Sequence, residues 1–193
     1  MKQGWNTQLF AHMVDIKVHN LLQMNEEYIT PLHNKLLDIV TSVGDEQKKL
    51  SNVQADMTNW TMHTKYEEFE KLGNIVRILL AQDTLPTSEN EVVQSKHKYS
   101  IKEMWGAIYH KNDYTIKHWH WPCTWSFGYY LKTSETTPPI IFHNAIQGSN
   151  VGNISYNPKI GDLVIFPSEI YHEVPVQKTD EKRIMIAGNL KIA

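Results

Sequence analysis

The stretch "IKHWHWPCTWSFGYYL", residues 116–131, places His118 and His120 one residue apart in a run rich in tryptophan and tyrosine. Imidazole is costly to bury without a partner, and it is a good ligand for iron, zinc, copper and nickel. Side chains alternate along a strand, so a strand here sets Ile116, His118 and His120 on one face and Lys117, Trp119 and Trp121 on the other. Same-face neighbours stand about 6.6 Å apart. Two imidazoles converging on one ion close such a gap at nitrogen–metal bonds of about 2.0–2.1 Å. Alone, such a pair is more often two core or surface histidines than a metal site.

The second half of the constellation lies in "NPKIGDLVIFPSEIYHEV". A turn over 158–161 feeds a strand over 163–166, Pro167 breaks it, and His172 opens the next strand. Arg183 then begins the terminal strand "RIMIAGNL". An H-x-H pair, a Gly-Asp turn, a distal histidine and an arginine in that order combine metal ligands with a guanidinium, the group best shaped for bidentate carboxylate recognition.

Neighbouring residues are candidates of a second rank. Ser126, Gly128 and Tyr130 share a strand face, which leaves room for a small anion with a phenol nearby; Gly128 at a barrel bend and Tyr130 in the core is the alternative. Trp119, Trp121 and Trp125 form either an aromatic wall for a planar substrate or core and interface packing. Asn189 has the strand parity of Arg183. His110 and His143 read as structural or exposed, and Cys123 as a small buried hydrophobe.

These residues need elements to position them. With 193 residues the chain suits one domain, 1–193. Residues 1–97 read as mainly helical support and 98–193 as a β core. In "TPLHNKLLDIVTSVG", Thr30 caps, Pro31 takes the first turn, Leu32, Leu36, Ile39, Val40 and Val43 form one face, and Gly44 stops the helix. "HTKYEEFEKLGNIVRILLAQ" repeats the pattern with Tyr66, Phe69, Leu72, Val76, Leu79 and Leu80. The intervening "DEQKKLSNVQADMTNW" reads as a loop, and "QDTLPTSENEVVQSKHK" as a linker broken by Pro86. Beyond it, strands are expected near 103–110, 114–120, 126–132, 139–143, 153–156, 162–166, 170–176 and 183–190, the strand complement of a small jelly roll. The helices are expected to pack outside that barrel.

The composition narrows the partners. A net charge of −2 without like-charge blocks gives no sign of nucleic acid, and no apolar stretch is long enough to span a membrane. A single cysteine and no signal-peptide pattern suit a cytoplasmic protein, and a homodimer is compatible with the sequence.

The pieces "HWHWP", "SFGYYL", "GDLVIFPSEIYHEV" and the span from Arg183 to Asn189 resemble the Fe(II) and 2-oxoglutarate-dependent oxygenases, in the branch with an H-x-H-P motif and an S-G-x-Y-Y-L strand. The N-terminal "LF", the first helix and "NVQADMTNW" resemble them more faintly. The resemblance implies an α+β chain built on a double-stranded β-helix, the jelly-roll or cupin-like core. It implies His118 and His172 as iron ligands and Arg183 on the far carboxylate of 2-oxoglutarate; the strand faces read above add Tyr130 and Ser126 as candidates for the cosubstrate site, and Asn189 as either a further one or a holder of backbone. O2 and an unidentified substrate are the further reactants, and hydroxylation is the expected outcome. Two departures stand out. Most such sites complete the triad with Asp or Glu two residues after the first His; here His120 stands there, so either it ligates or a carboxylate such as Asp113, Glu169 or Glu173 does. Met185 stands where a serine often adds a hydroxyl to the cosubstrate.

His120 changes the charge of the centre. Two histidines and a carboxylate leave about +1 on Fe(II), whereas three imidazoles leave about +2 to meet a dianion. The rival readings are a cupin-like three-His enzyme without 2-oxoglutarate and a jelly-roll binding protein, since one scaffold hosts all three.

Overall fold

The computed structural model describes residues 16–47, 49–82, 99–143 and 152–193. The expected linker falls almost wholly within 83–98, outside the described residues, as does the N-terminal "LF". The first part holds β1 (Lys17–Asn20), α1 (Leu21–Met24), α2 (Glu26–Val43), β2 (Val53–Gln54), β3 (Asp56–Met57), α3 (Met62–Lys65) and α4 (Glu67–Gln82). The second holds β4 (Tyr99–Tyr109), β5 (Tyr114–His118), β6 (Trp125–Lys132), β7 (Ile140–Phe142), β8 (Ile154–Tyr156), β9 (Asp162–Pro167), β10 (His172–Val174) and β11 (Arg183–Ile192). All eight expected strands are present.

They form two antiparallel sheets, ordered β1-β9-β6-β11-β4-β3 and β2-β5-β10-β7-β8. Alternation along the strands sorts the side chains into two cores. Trp105, Ala107, Tyr109, Tyr130, Val164, Phe166 and Met185 from the larger sheet meet Val53, Ile140, Phe142 and Val174 from the smaller one. The opposite-parity residues Phe127, Tyr129, Leu131, Leu163, Ile165, Ile184 and Ile186 pack on the helices. The helical part therefore covers the outer face of the six-stranded sheet, as expected of a supporting layer.

Helix α2 buries Ile29, Leu32, Leu36 and Val40 on that sheet. Its start differs from expectation. Asn25, not Thr30, is the cap and accepts from the Tyr28 N–H at 3.2 Å, with Glu26 and Glu27 in the positive first turn. Pro31 lies inside the helix rather than in its first turn, and Gly44 ends it with φ +70°. The second expected helix breaks at Tyr66, whose φ −127° and ψ 125° are extended. Close approach of α2 to β4 depends on Gly106, where an added Cβ would lie 2.5 Å from Val40 Cγ2.

The stretch expected to be a loop carries two short strands. Val53 pairs with Thr115 and Met57 with Ala107, so each sheet gains an edge. Two-residue strands leave no periodicity to read. Among the described residues no helix is long and apolar enough to cross a membrane.

Candidate metal centre

Strand β5 departs from simple alternation. His118 pairs with His172, but the next pair is Thr115 with Val174, an extra residue on β5 that makes a bulge. Thr115 and His118 point inward, while Ile116 is 46% exposed and does not share the face of His118. The bulge turns Ile116 O toward the His118 ring, whose Nδ1 lies 2.7 Å from it. His172 Nδ1 likewise lies 3.0 Å from Ile170 O. A carbonyl only accepts, so both rings carry their proton on Nδ1 and direct a free Nε2 lone pair elsewhere.

His120 reaches the same place from beyond the end of β5. Its backbone N–H donates to Ser168 O at 2.8 Å, and its carbonyl accepts from Cys123 N–H at 2.8 Å. The three ring centroids lie 4.7 Å (His118–His120), 4.4 Å (His118–His172) and 5.1 Å (His120–His172) apart. One ring nitrogen from each falls within 4.8 Å of the others. Burial lowers the pKa of all three, most for His172, at about 3, and His120, at about 2, where the neighbouring histidines add to the effect. Neutral imidazoles offer lone pairs at physiological pH, so the donor set suits a divalent transition metal.

Among the described residues the group contains no carboxylate. Asp113 is taken by Lys49 Nζ at 2.5 Å, Glu173 lies 3.1 Å from His143 Nε2, and Glu169 is exposed. His110 pairs with Asp56 at 3.0 Å, and Cys123 is buried with its thiol pKa raised.

A continuous cavity runs from the three imidazoles to Arg183, lined on the way by Thr115, Ile140 and Met185. Arg183 is fully buried. Its Nη1 donates to Pro138 O at 2.7 Å and its Nη2 to Tyr130 Oη at 3.1 Å. The Tyr130 and Tyr109 rings stand 4.9 and 5.4 Å from the guanidinium carbon, and Met185 Sδ lies 3.8 Å from Nη2. Nε has no hydrogen-bond partner, and among the described residues no carboxylate pairs with this cation. A buried cation without an anion is expensive, so the cavity fits a carboxylate-bearing ligand.

Ser126 and Asn189 occupy the histidine end. Ser126 Oγ donates to Asn189 Oδ1 at 2.7 Å, and Asn189 Nδ2 lies 2.6 Å from Glu103 Oε1 and 3.1 Å from His120 Nδ1. Glu103 is absent from the expected residues, as are Trp105 and Thr115. Register explains Glu103: it pairs with Asn189, and Asn189 with Ser126, a three-strand relation that spacing within one strand does not reveal. An open groove of about 720 Å³ that also borders His118 and His120 is lined by Leu50, Trp60, Glu103 and Trp105. None of Trp119, Trp121 and Trp125 lines the cavity or this groove. Trp119 stacks on Tyr171 at 5.3 Å, Trp121 is 69% exposed, and Trp125 packs against the helical core.

Residues 103–189 match the family model described as "Putative 2OG-Fe(II) oxygenase". No curated protein matches the sequence. Similar solved structures include HygX from Streptomyces hygroscopicus with nickel, 2-oxoglutarate and hygromycin B bound, with TM-score 0.63, 9% identity, and coverage of 94% of this chain and 84% of that one. A Pseudomonas putida prolyl-4-hydroxylase gives TM-score 0.59 and 15% identity over 92% of each chain. The 2-oxoglutarate-dependent epimerase SnoN from nogalamycin biosynthesis gives TM-score 0.61 and 10% identity over 84% of this chain and 74% of that one. At such identities the structural likeness is one of fold, the double-stranded β-helix. The family match spans His118, His120, His172 and Arg183, the four residues at which the metal and anion readings meet.

Proposed function

We propose that the protein is a hydroxylase in which His118, His172 and His120 hold Fe(II), and Arg183 with Tyr130 holds the far carboxylate of 2-oxoglutarate. The observation that carries this reading is the single cavity with three neutral imidazoles at one end and a buried, anion-less guanidinium at the other. Once bound, the metal and cosubstrate would supply the oxidising chemistry, in which O2 gives one oxygen atom to the substrate and the other to the succinate formed from 2-oxoglutarate with loss of CO2.

The chain's own residues bind, orient and exclude. The carbonyls of Ile116 and Ile170 fix two rings with Nε2 inward, so those ligands lose little freedom on binding. Arg183 offers its unpaired Nε to a carboxylate while Pro138 O and Tyr130 keep the guanidinium plane in place. Phe142 and Phe166, whose rings lie 6.3 and 4.7 Å from that of His172, keep water from that side. Substrate enters by the groove of Trp60, Glu103 and Trp105, and the exposed Trp119 and Trp121 are offered to an extended one outside it. The helices and the jelly roll act as one domain, since Leu36, Val40 and Phe69 share a core with Phe127 and Ile186. The single buried Cys123 suits a reducing, cytoplasmic setting.

Anaerobic titration of the protein with Fe(II) and then 2-oxoglutarate tests the site. The expected result is a visible charge-transfer band that saturates at one equivalent of each. A band absent with both present removes the chelate. Incorporation of one oxygen atom from O2 into a substrate, seen by mass, separates hydroxylation from other outcomes.

A further inference from the structure

The hydrogen bonds around Asn189 run in one direction. A carboxylate only accepts, so the Asn189 atom 2.6 Å from Glu103 Oε1 is the amide nitrogen. That leaves Oδ1 to accept from Ser126 Oγ–H, whose oxygen accepts in turn from Ser168 Oγ–H at 2.7 Å. The same amide nitrogen stands 3.1 Å from His120 Nδ1. It only donates, so His120 Nδ1 accepts, and a neutral His120 carries its proton on Nε2. Ser126, Ser168 and Asn189 are all buried, at 1%, 0% and 0% exposure, so water does not substitute for a missing partner.

His120 is thereby in the opposite tautomer to His118 and His172. Turning its Nε2 lone pair toward a metal needs the proton on Nδ1, where it would face the Asn189 N–H donor to donor. Rotating the amide cures that clash but sets Oδ1 against the Glu103 carboxylate, acceptor to acceptor. The serine hydroxyls adapt to either orientation, because each both donates and accepts. Glu103 does not adapt in place. It lines the open groove and is only partly buried, which leaves it room to withdraw.

We propose that Glu103 and Asn189 are positioning residues that hold His120 out of the metal's ligand set. His118 and His172 bind first, and His120 joins when Glu103 releases the amide and the amide turns over. This deepens the metal reading above and rests on it.

Two measurements on the full chain test it. In the metal-free wild type labelled with 15N-histidine, long-range 1H–15N correlations report each tautomer, assigned by H118Q, H120Q and H172Q. The expected pattern is Nδ1–H for His118 and His172 and Nε2–H for His120; Nδ1–H at His120 overturns the proposal. The second is the Co(II) dissociation constant. E103Q replaces the acceptor with an amide that satisfies Asn189 in either orientation, so Co(II) is expected to bind about tenfold or more tightly than in the wild type. H120Q should then cost more affinity in the E103Q background than in the wild type. Equal affinities for wild type and E103Q, or an H120Q effect of the same size in both, overturn it. Failure of the metal reading itself looks different: H172A would leave Co(II) affinity unchanged, and the proposal would fall with it.

Discussion

His172 stands directly across the β5–β10 ladder from His118, their rings 4.4 Å apart, each ring pinned through Nδ1 to the carbonyl two residues before it. Neither ring needs a distant partner for its tautomer, because the chain just before it supplies one. His118→Ala or His172→Ala should therefore abolish stoichiometric iron binding while the thermal transition of the metal-free protein persists. Iron content after gel filtration and a melting curve check this together. Tight iron retained by His172→Ala contradicts the assignment of that ligand.

Arg183 should carry cosubstrate affinity and no metal affinity, since the histidines and the guanidinium sit at opposite ends of one cavity. A charge-assisted hydrogen bond contributes about 1.5–3 kcal/mol, so Arg183→Met should weaken 2-oxoglutarate about ten- to a hundredfold and leave iron in place. Calorimetric titration of the iron-loaded variant with 2-oxoglutarate measures it. Unchanged binding would assign the far carboxylate to other groups, Tyr130 Oη first among them.

Much of this site was legible because its signals are local. The H-x-H pair, the distal histidine and the arginine each sit at or just beyond a strand end, and all eight strands of the core announced themselves by alternation and turn residues. The face of Ile116 was not legible, because a bulge adds a residue that parity cannot anticipate. Glu103 was missed for a related reason: its role is set by cross-strand register with Asn189, some eighty residues away in sequence. β2 and β3 were missed because two residues make no period. The α2 cap was misplaced by Pro31, which suggested a first turn, whereas Asn25 with the two glutamates after it makes the better start.

The metal-free protein should lose stability as pH falls below about 6.5. His33 is buried between α2 and the sheet, with Nδ1 2.8 Å from Tyr129 Oη and Nε2 3.1 Å from Leu131 O, and burial holds its pKa below the usual 6.5. His118 and His172 are lowered by the same cause, the latter to about 3. Below pH 6.5 the unfolded chain takes up protons on these rings and the folded chain does not, so stability is full above that pH and declines as pH falls toward the folded values. Each ring adds a slope of at most about 1.4 kcal/mol per pH unit. Urea midpoints at pH 7.5 and 5.0 should fall with pH, and His33→Gln should flatten the trend. An equal slope in that variant removes His33 from the account.

The seating of α2 on the β core should prove sensitive to one missing methyl group. At Gly106 an added Cβ would lie 2.5 and 2.8 Å from the two γ-carbons of Val40, far inside van der Waals contact, and Val40 is fully buried. Gly106→Ala should cost about 1–3 kcal/mol by overpacking. Val40→Ala alone should cost about 1.5–3 kcal/mol by removing buried apolar surface. In the double variant the new methyl occupies part of the space the valine vacates, so the two costs should fall short of their sum by more than about 0.5 kcal/mol, the coupling expected of residues in contact. Urea denaturation of the four proteins closes the cycle. Additive costs would mean that α2 shifts as a body to accommodate the methyl, and since β4 also carries Glu103 and Trp105, such a shift should then appear as altered metal affinity in Gly106→Ala.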